Sequence, residues 1–153
     1  TLMEVSKIKR ILSRVWDPNE FRSDFGLRSL SKHYEKTPYE LLGFSINYQP
    51  GESTAILKGG NSNWRGPIWF PTTFLFIEAL RNLYRYSGDQ ILVKQGDEKS
   101  VTLYEMAEYY AQALIRLFKK DEKGRRPIYG DDEKMQTDPH FRDHLLFFEH
   151  YHG

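Results

Sequence analysis

The segment from Gly59 to Pro71, GGNSNWRGPIWFP, constrains the fold of this chain more than any other stretch. Its two opening glycines allow backbone conformations that are closed to residues with a Cβ atom. Short polar residues follow, Asn61, Ser62 and Asn63, and such side chains favour turns. Pro71 then suits the first turn of a helix. The pattern predicts a turn that leads directly into a helix.

Two indoles and a guanidinium lie inside this turn. Trp64 is followed directly by Arg65 and Gly66, and the second indole is Trp69. An aromatic face beside planar donors suits a sugar ring, because C–H groups stack on the indole while hydroxyls accept from the guanidinium. The alternative is a buried turn in which both indoles belong to the core and Arg65 pairs with a carboxylate.

Apolar residues at helical spacing predict three long helices. The first carries Val5, Ile8, Leu12 and Val15, begins at a T-x-x-E capping box (Thr1 and Glu4) and ends at Asp17-Pro18. The second runs from Thr72 to Tyr86, with Gly88 as its C-terminal cap and an early part so apolar that burial on nearly all sides is expected. The third begins at a capping box of Thr102 and Glu105 and lines one face with Leu103, Met106, Ala107, Tyr110, Leu114 and Leu117.

A small β-hairpin, or a pair of extended segments at the rim of the fold, is predicted between the first two helices. Phe44 to Tyr48 alternates apolar and polar residues, Gln49-Pro50-Gly51 makes a turn, and Ala55 to Leu57 resumes an apolar run. Helical residues outweigh strand residues, so the predicted fold class is mainly α with a small amount of β.

Composition excludes several classes of function. The net charge is +1, which provides no electrostatic basis for binding nucleic acid or an anionic membrane. No apolar run approaches the roughly 20 residues that cross a bilayer. The sequence contains no cysteine and its first residues do not resemble a signal peptide, so a cytoplasmic location is favoured.

No cofactor or metal is predicted. The chain lacks phosphate-binding loops of the Walker or Rossmann type. His140, His144, His150 and His152 cluster near the end, but no carboxylate stands at the spacing of an H-E-x-x-H site. Surface histidines, or a histidine that orients Glu149, are the expected explanation.

Four motifs together resemble one family. They are FGLRSLSKHY (Phe25 to Tyr34), YQPGES (Tyr48 to Ser53), GGNSNWRGPIW and FFEHY (Phe147 to Tyr151). In this order and spacing they resemble glycoside hydrolase family 63, inverting α-glucosidases that include the mannosyl-oligosaccharide glucosidases and are built on an (α/α)6 toroid. The resemblance implies that residues 1–153 form a single domain, the C-terminal part of a larger catalytic domain, with a partial toroid and a hairpin at its rim. The remaining N-terminal part of the barrel would then be a partner.

The resemblance also implies site residues. Inverting hydrolysis needs a general acid and a general base, roughly 6.5–9.5 Å apart so that a water fits between them. Glu149 has aromatic or apolar neighbours on both sides and matches the family segment that carries the base; the alternative is a salt-bridged glutamate at the rim. Asn63, Trp64, Arg65, Gly66 and Trp69 would bind substrate.

No motif matches the general acid. Asp24 is a candidate, although a turn or cap aspartate is the simpler interpretation. The predicted function is inverting hydrolysis of α-glucosidic bonds in oligosaccharides, with this chain supplying the base, and we expect the chain alone to be inactive and to expose apolar helix faces. The alternative is a helical carbohydrate-binding or protein-interaction module without chemistry of its own.

Overall fold

The computed structural model describes residues 4–51 and 64–153, and within these ranges helices predominate. The α-helices are α1 (Val5–Trp16), α2 (Phe70–Ser87), α3 (Leu103–Phe118), α4 (Glu133–Thr137) and α5 (Pro139–Asp143). Short 3-10 turns lie at Lys32–Glu35, Gly88–Gln90 and Pro127–Tyr129. The predicted class, mainly α with minor β, is confirmed.

The strands are short and form separate antiparallel pairs. They are β1 (Arg22–Ser23) with β2 (Gly26–Leu27), β3 (Tyr39–Leu41) with β4 (Phe44–Ile46), β5 (Ile68–Trp69) with β8 (His150–Tyr151), and β6 (Leu92–Val93) with β7 (Val101–Thr102). Among these pairs in the described residues, β5 with β8 is the one that joins segments from opposite halves of the chain.

Helix α3 is the centre of the core. Its buried residues recur every three or four positions, as expected for one face of a helix packed on a core, and they are Leu103, Met106, Ala107, Tyr110, Ala113, Leu114 and Leu117. The helix begins at the predicted capping box: the Thr102 hydroxyl accepts from the Glu105 N–H at 3.1 Å, and the Glu105 carboxylate accepts from the Thr102 N–H at 2.7 Å. Helix α2 packs along α3 and buries Thr73, Ile77 and Leu80.

Helix α1 packs on this pair through Leu12 and Trp16 and ends at Asp17, as predicted. The Trp16 ring meets the Tyr109 ring edge to face, with 5.0 Å between centroids. The Tyr110 hydroxyl donates a hydrogen bond of 3.0 Å to the Val15 carbonyl. This bond joins the end of α1 to the middle of α3.

The first segment of the predicted hairpin is a strand, and among the described residues it forms a hairpin with the segment upstream of it. Phe44–Ile46 is a strand, and it pairs with Tyr39–Leu41, which precedes it in the chain. Leu42 and Gly43 connect the two with positive φ angles of 49° and 81°. Successive residues with positive φ form the tight turns that match strand twist, and this local geometry favours the upstream pairing. The segment Ala55 to Leu57 lies outside the described residues.

Helix α2 is less buried than predicted. Phe74 and Leu75 are 51% and 66% exposed, whereas Ile77 and Leu80 are buried. The reason is that α3 covers one face of α2, and within the described residues the other face has no comparable helix against it. Mainly helical architecture is thus established, while the partial toroid stays a prediction. In the part of the chain that the structure describes, no helix combines the length and the apolar character needed to cross a membrane.

The buried tyrosine on α3 predicts a pH dependence of folding. Burial raises the pKa of Tyr110 well above its ordinary value of 10.0. A raised folded-state pKa means that its contribution to stability is complete below about pH 10 and is lost as the pH rises further. We expect the free energy of unfolding to fall above this pH in urea titrations followed by circular dichroism.

The variant Tyr110→Phe should lose about 1 kcal/mol at neutral pH, because the hydrogen bond to Val15 is removed. It should also show a shallower decline at alkaline pH than the unsubstituted chain. Tyr86→Phe, which changes a 91% exposed ring, is the matched control. An unchanged alkaline slope in Tyr110→Phe would contradict the assignment.

Candidate functional site

A short strand pairing brings the two main predicted site segments together. Ile68 lies opposite Tyr151 and Trp69 lies opposite His150 in an antiparallel register. The Phe70 N–H extends the ladder by donating to the Glu149 carbonyl at 2.9 Å. The backbone of Glu149 is therefore held beside the tryptophan segment, although the two are far apart in the sequence.

The FGLRSLSKHY segment joins the same frame on the other side of β5. Arg28 forms an isolated antiparallel bridge with Ile68. The Ser29 N–H donates to the Pro67 carbonyl at 3.1 Å, and the Ser29 hydroxyl accepts from the Gly66 N–H at 3.0 Å. Ser29 thus holds the chain on both sides of the Gly66–Pro67 peptide.

The YQPGES segment closes the frame through its described residues. The Gln49 N–H donates to the Arg65 carbonyl at 2.5 Å, and the Arg65 Nη2 donates to the Gln49 Oε1 at 2.6 Å. The Gly153 N–H donates to the Pro50 carbonyl at 3.0 Å. All four motifs singled out in the sequence consequently converge on one region.

The two indoles of the site differ in exposure. The rings of Trp64 and Trp69 are parallel, with 4.2 Å between centroids and an angle of 4°. Trp64 is 52% exposed, whereas Trp69 is 7% exposed and also contacts the His150 ring at 4.8 Å. Trp69 is therefore the buried ring on which Trp64 stacks, and the Trp64 ring provides the accessible aromatic surface.

The predicted base, Glu149, has an exposed side chain and lies immediately before β8. No described residue forms a hydrogen bond or an ion pair with its carboxylate, so the rim salt bridge considered as an alternative is not seen among the described residues. The strand after it is anchored by the Tyr151 hydroxyl, which accepts from the Phe148 N–H at 3.1 Å.

A cavity of about 670 Å³ lies beside the terminal strand. Its walls include Asp24, Arg28, His150 and Gly153, with Phe148 and Tyr151 among its aromatic residues. Glu149 and Trp64 do not line it. The cavity is bounded by parts of the FGLRS and FFEHY segments and by residues 127–130.

Asp24 lies in the turn between β1 and β2, as the simpler interpretation predicts. Its carbonyl accepts from the Arg116 Nη2 at 2.6 Å. Arg28 stabilises the neighbouring loop, since its Nη1 donates to the carbonyls of Pro18 and Arg22 at 2.9 and 2.5 Å. Burial raises the pKa of Tyr48, so its phenol stays neutral near pH 7 even though the Arg28 charge acts in the opposite direction.

Sequence reasoning missed Ser29 and Gln49. Both lie inside the quoted motifs, yet a motif does not say which backbone groups its side chains reach. Asn63, by contrast, was predicted to bind substrate and lies outside the described residues. The His140 and His144 rings stack at 4.9 Å, and among residues 4–51 and 64–153 no group of three or more potential ligands is arranged to hold a metal ion.

Comparison with known protein families identifies a glycoside hydrolase-type domain. Residues 1–129 match the family model described as "Mannosylglycerate hydrolase MGH1-like glycoside hydrolase domain", and the chain belongs to this family. The resemblance to glycoside hydrolases is thus confirmed at the level of the family. Glu149 lies beyond the matched range.

One curated relative is a Saccharomyces cerevisiae protein named "Uncharacterized protein YMR196W". It is 45% identical over 161 aligned residues, which cover 100% of this chain and 15% of the yeast protein. The chain therefore spans a small part of the length of this relative. The alignment includes the segment around Glu149.

The crowded position of Gly66 leads to a prediction about the frame. Gly66 has a φ of 144°, and an added Cβ would lie 2.9 Å from the Gln49 carbonyl carbon and oxygen. Gly66→Ala should destabilise the protein by about 2–4 kcal/mol, because backbone strain and overpacking add. Gly96→Ala is the matched control, since Gly96 also has positive φ (52°) but open space around it. Equal melting temperatures for the two variants would show that the contact with Gln49 is not tight.

Proposed function

We propose that this chain forms the sugar subsite and carries the general base of a glycoside hydrolase that cleaves α-glucosidic bonds of oligosaccharides by inversion. The observation that supports this best is the pairing of β5 with β8. It holds Glu149 next to the segment of Trp64, Arg65 and Trp69. Membership in a glycoside hydrolase family supports the reaction class.

The exposed face of Trp64 is the proposed stacking surface for a sugar ring. Its parallel contact with Trp69 fixes the plane of the indole, and Trp69 is in turn covered by His150. A rigid aromatic plane costs little ordering entropy when a flat ring of C–H groups binds to it. The proposed subsite is completed by hydrogen-bond donors from Arg65 and Asn63 and by the backbone of Gly66, which can approach the sugar closely.

Glu149 is the proposed general base. Its carboxylate is exposed, so a water molecule can reach it, while its backbone is fixed by the hydrogen bond from Phe70. In inversion the carboxylate takes a proton from water as the water oxygen attacks the anomeric carbon and the glycosidic oxygen leaves with a proton from the acid. We propose that the acid is supplied from outside these residues, because none of the motifs supplies it.

We further propose that additional helices of the same catalytic domain cover the exposed side of α2. Phe74 and Leu75 are apolar and more than half exposed there, and Ile115 on α3 is 43% exposed. Exposed apolar surface of this kind marks an interaction site. The yeast relative, of which this chain spans 15%, shows that such a domain occurs within a much longer polypeptide.

A non-catalytic carbohydrate-binding module is the second candidate. It is favoured because no motif in this chain matches the general acid of the family. It would use the same Trp64 surface to bind sugar. The two candidates differ in what Glu149 does, since a binding module needs no base.

Substitution of Glu149 separates them. Glu149→Gln in the full-length protein should lower the rate of hydrolysis by at least roughly 10²–10⁴, because an amide cannot accept the proton from water. Oligosaccharide affinity, measured by isothermal titration calorimetry, should change little. Glu122→Gln, at an exposed loop glutamate, is the matched control. Activity within a few-fold of the unsubstituted protein would remove Glu149 from the mechanism, and binding without any hydrolysis in either protein would support the module.

The indole pair predicts opposite effects of two similar substitutions. Trp64→Ala should weaken oligosaccharide binding by about 1–2 kcal/mol with a small change in melting temperature, because the ring is half exposed. Trp69→Ala should cost about 3–5 kcal/mol of stability, because its ring is buried. Calorimetric titration and thermal unfolding of both variants measure these effects. A stability loss in Trp64→Ala with unchanged affinity would make Trp64 purely structural.

A further inference from the structure

We infer that Gln49 is a positioning residue that orients the Arg65 guanidinium at the sugar subsite; this inference rests on the proposed function. Gln49 contacts Arg65 at both ends. Its N–H donates to the Arg65 carbonyl at 2.5 Å, and its side-chain Oε1 accepts from the Arg65 Nη2 at 2.6 Å. The two bonds fix the backbone and the charged tip of Arg65 together.

The chemistry of the partners determines the orientation of the Gln49 amide. A guanidinium only donates hydrogen bonds, so the carbonyl oxygen of the amide must face Arg65. The amide nitrogen is then turned to Asn47, whose Oδ1 accepts from it at 3.2 Å. Arg65 thus donates to the Gln49 amide oxygen, and the Gln49 amide nitrogen donates to Asn47. If the Gln49 amide were rotated by 180°, both hydrogen bonds would be lost.

The segment that carries Gln49 is itself held in place. Gly66 leaves no room for a Cβ between itself and the Gln49 backbone, so the two segments are in direct contact. The Ser29 hydroxyl fixes the other side of Gly66 through its hydrogen bond of 3.0 Å to the Gly66 N–H. A positioning group on such a fixed frame can hold a long side chain within the narrow range of geometry that a binding site requires.

A neutral acceptor suits this role better than a carboxylate. An amide oxygen orients the guanidinium while the contact itself adds no negative charge to the subsite. A charged donor forms stronger hydrogen bonds to neutral oxygens than a neutral donor does. Arg65 held by Gln49 is therefore suited to donate to a sugar hydroxyl beside the Trp64 ring.

The test is a double-mutant cycle in the full-length protein, with maltose-type oligosaccharides as substrates. Gln49→Met keeps the side-chain length and removes the acceptor, and Gln49→Glu keeps an acceptor. We expect Gln49→Met to raise KM about tenfold with kcat within about twofold, since a hydrogen bond to a charged group is lost. Gln49→Glu should stay within about threefold of the unsubstituted KM. In the Arg65→Ala background, Gln49→Met should change KM by less than about twofold, because coupled residues are not additive.

Gln112→Met, on the exposed side of α3, is the matched control and should leave KM and kcat unchanged. Thermal unfolding of every variant separates positioning from folding. A lower melting temperature without a change in KM, or equal effects of Gln49→Met on KM with and without Arg65, would overturn the inference. An unsubstituted protein that neither binds nor cleaves these sugars would overturn the proposed function and the inference with it. Normal Gln49→Met kinetics beside an inactive Glu149→Gln would overturn the inference alone.

Discussion

The antiparallel pairing of Ile68–Trp69 with His150–Tyr151 is the interaction on which the rest of the site depends. It joins the strand that precedes α2 to the terminal segment, and the buried side chains of Ile68 and Tyr151 place it against the main core. Because backbone hydrogen bonds set the register, they decide which side chains share a face. Trp69 and His150 are adjacent for this reason, and Glu149 immediately precedes the same strand.

The frame around this pairing is built mainly from backbone contacts. Ser29 hydrogen-bonds on both sides of the Gly66–Pro67 peptide, and Gln49 bonds to the Arg65 carbonyl. Such bonds tolerate little change of spacing, which explains why glycine is required where Gly66 meets Gln49. The side chains that remain accessible, Trp64 and Glu149, are thereby carried on a fixed support. That division suits a site in which binding groups must keep their geometry while a substrate enters and leaves.

The helical part of the molecule has a different role. Helices α2 and α3 bury one shared interface, centred on Leu80 and Tyr110, and hold β5 at the start of α2. The outer side of α2 contributes little to this core, as the exposed Phe74 and Leu75 show. Stability of the described region thus comes from α3 and its neighbours, whereas the outer face of α2 is suited to contact with further protein. This arrangement agrees with a domain that belongs to a glycoside hydrolase family and aligns with a small share of a much longer yeast protein.

The sequence by itself determined the long helices, because apolar spacing, the Thr102–Glu105 capping box and the stops at Asp17 and Gly88 are local properties. It also identified the motifs that form the site, since their residue types carry the chemistry. Only the tertiary structure decided how these motifs meet. Strand pairing between distant segments leaves no local pattern, so neither the pairing of β5 with β8 nor the link from Gln49 to Arg65 was predicted. The difference in burial between Trp64 and Trp69 is also a property of the tertiary structure. The two side chains are identical, and only the residues that pack against them give them distinct roles.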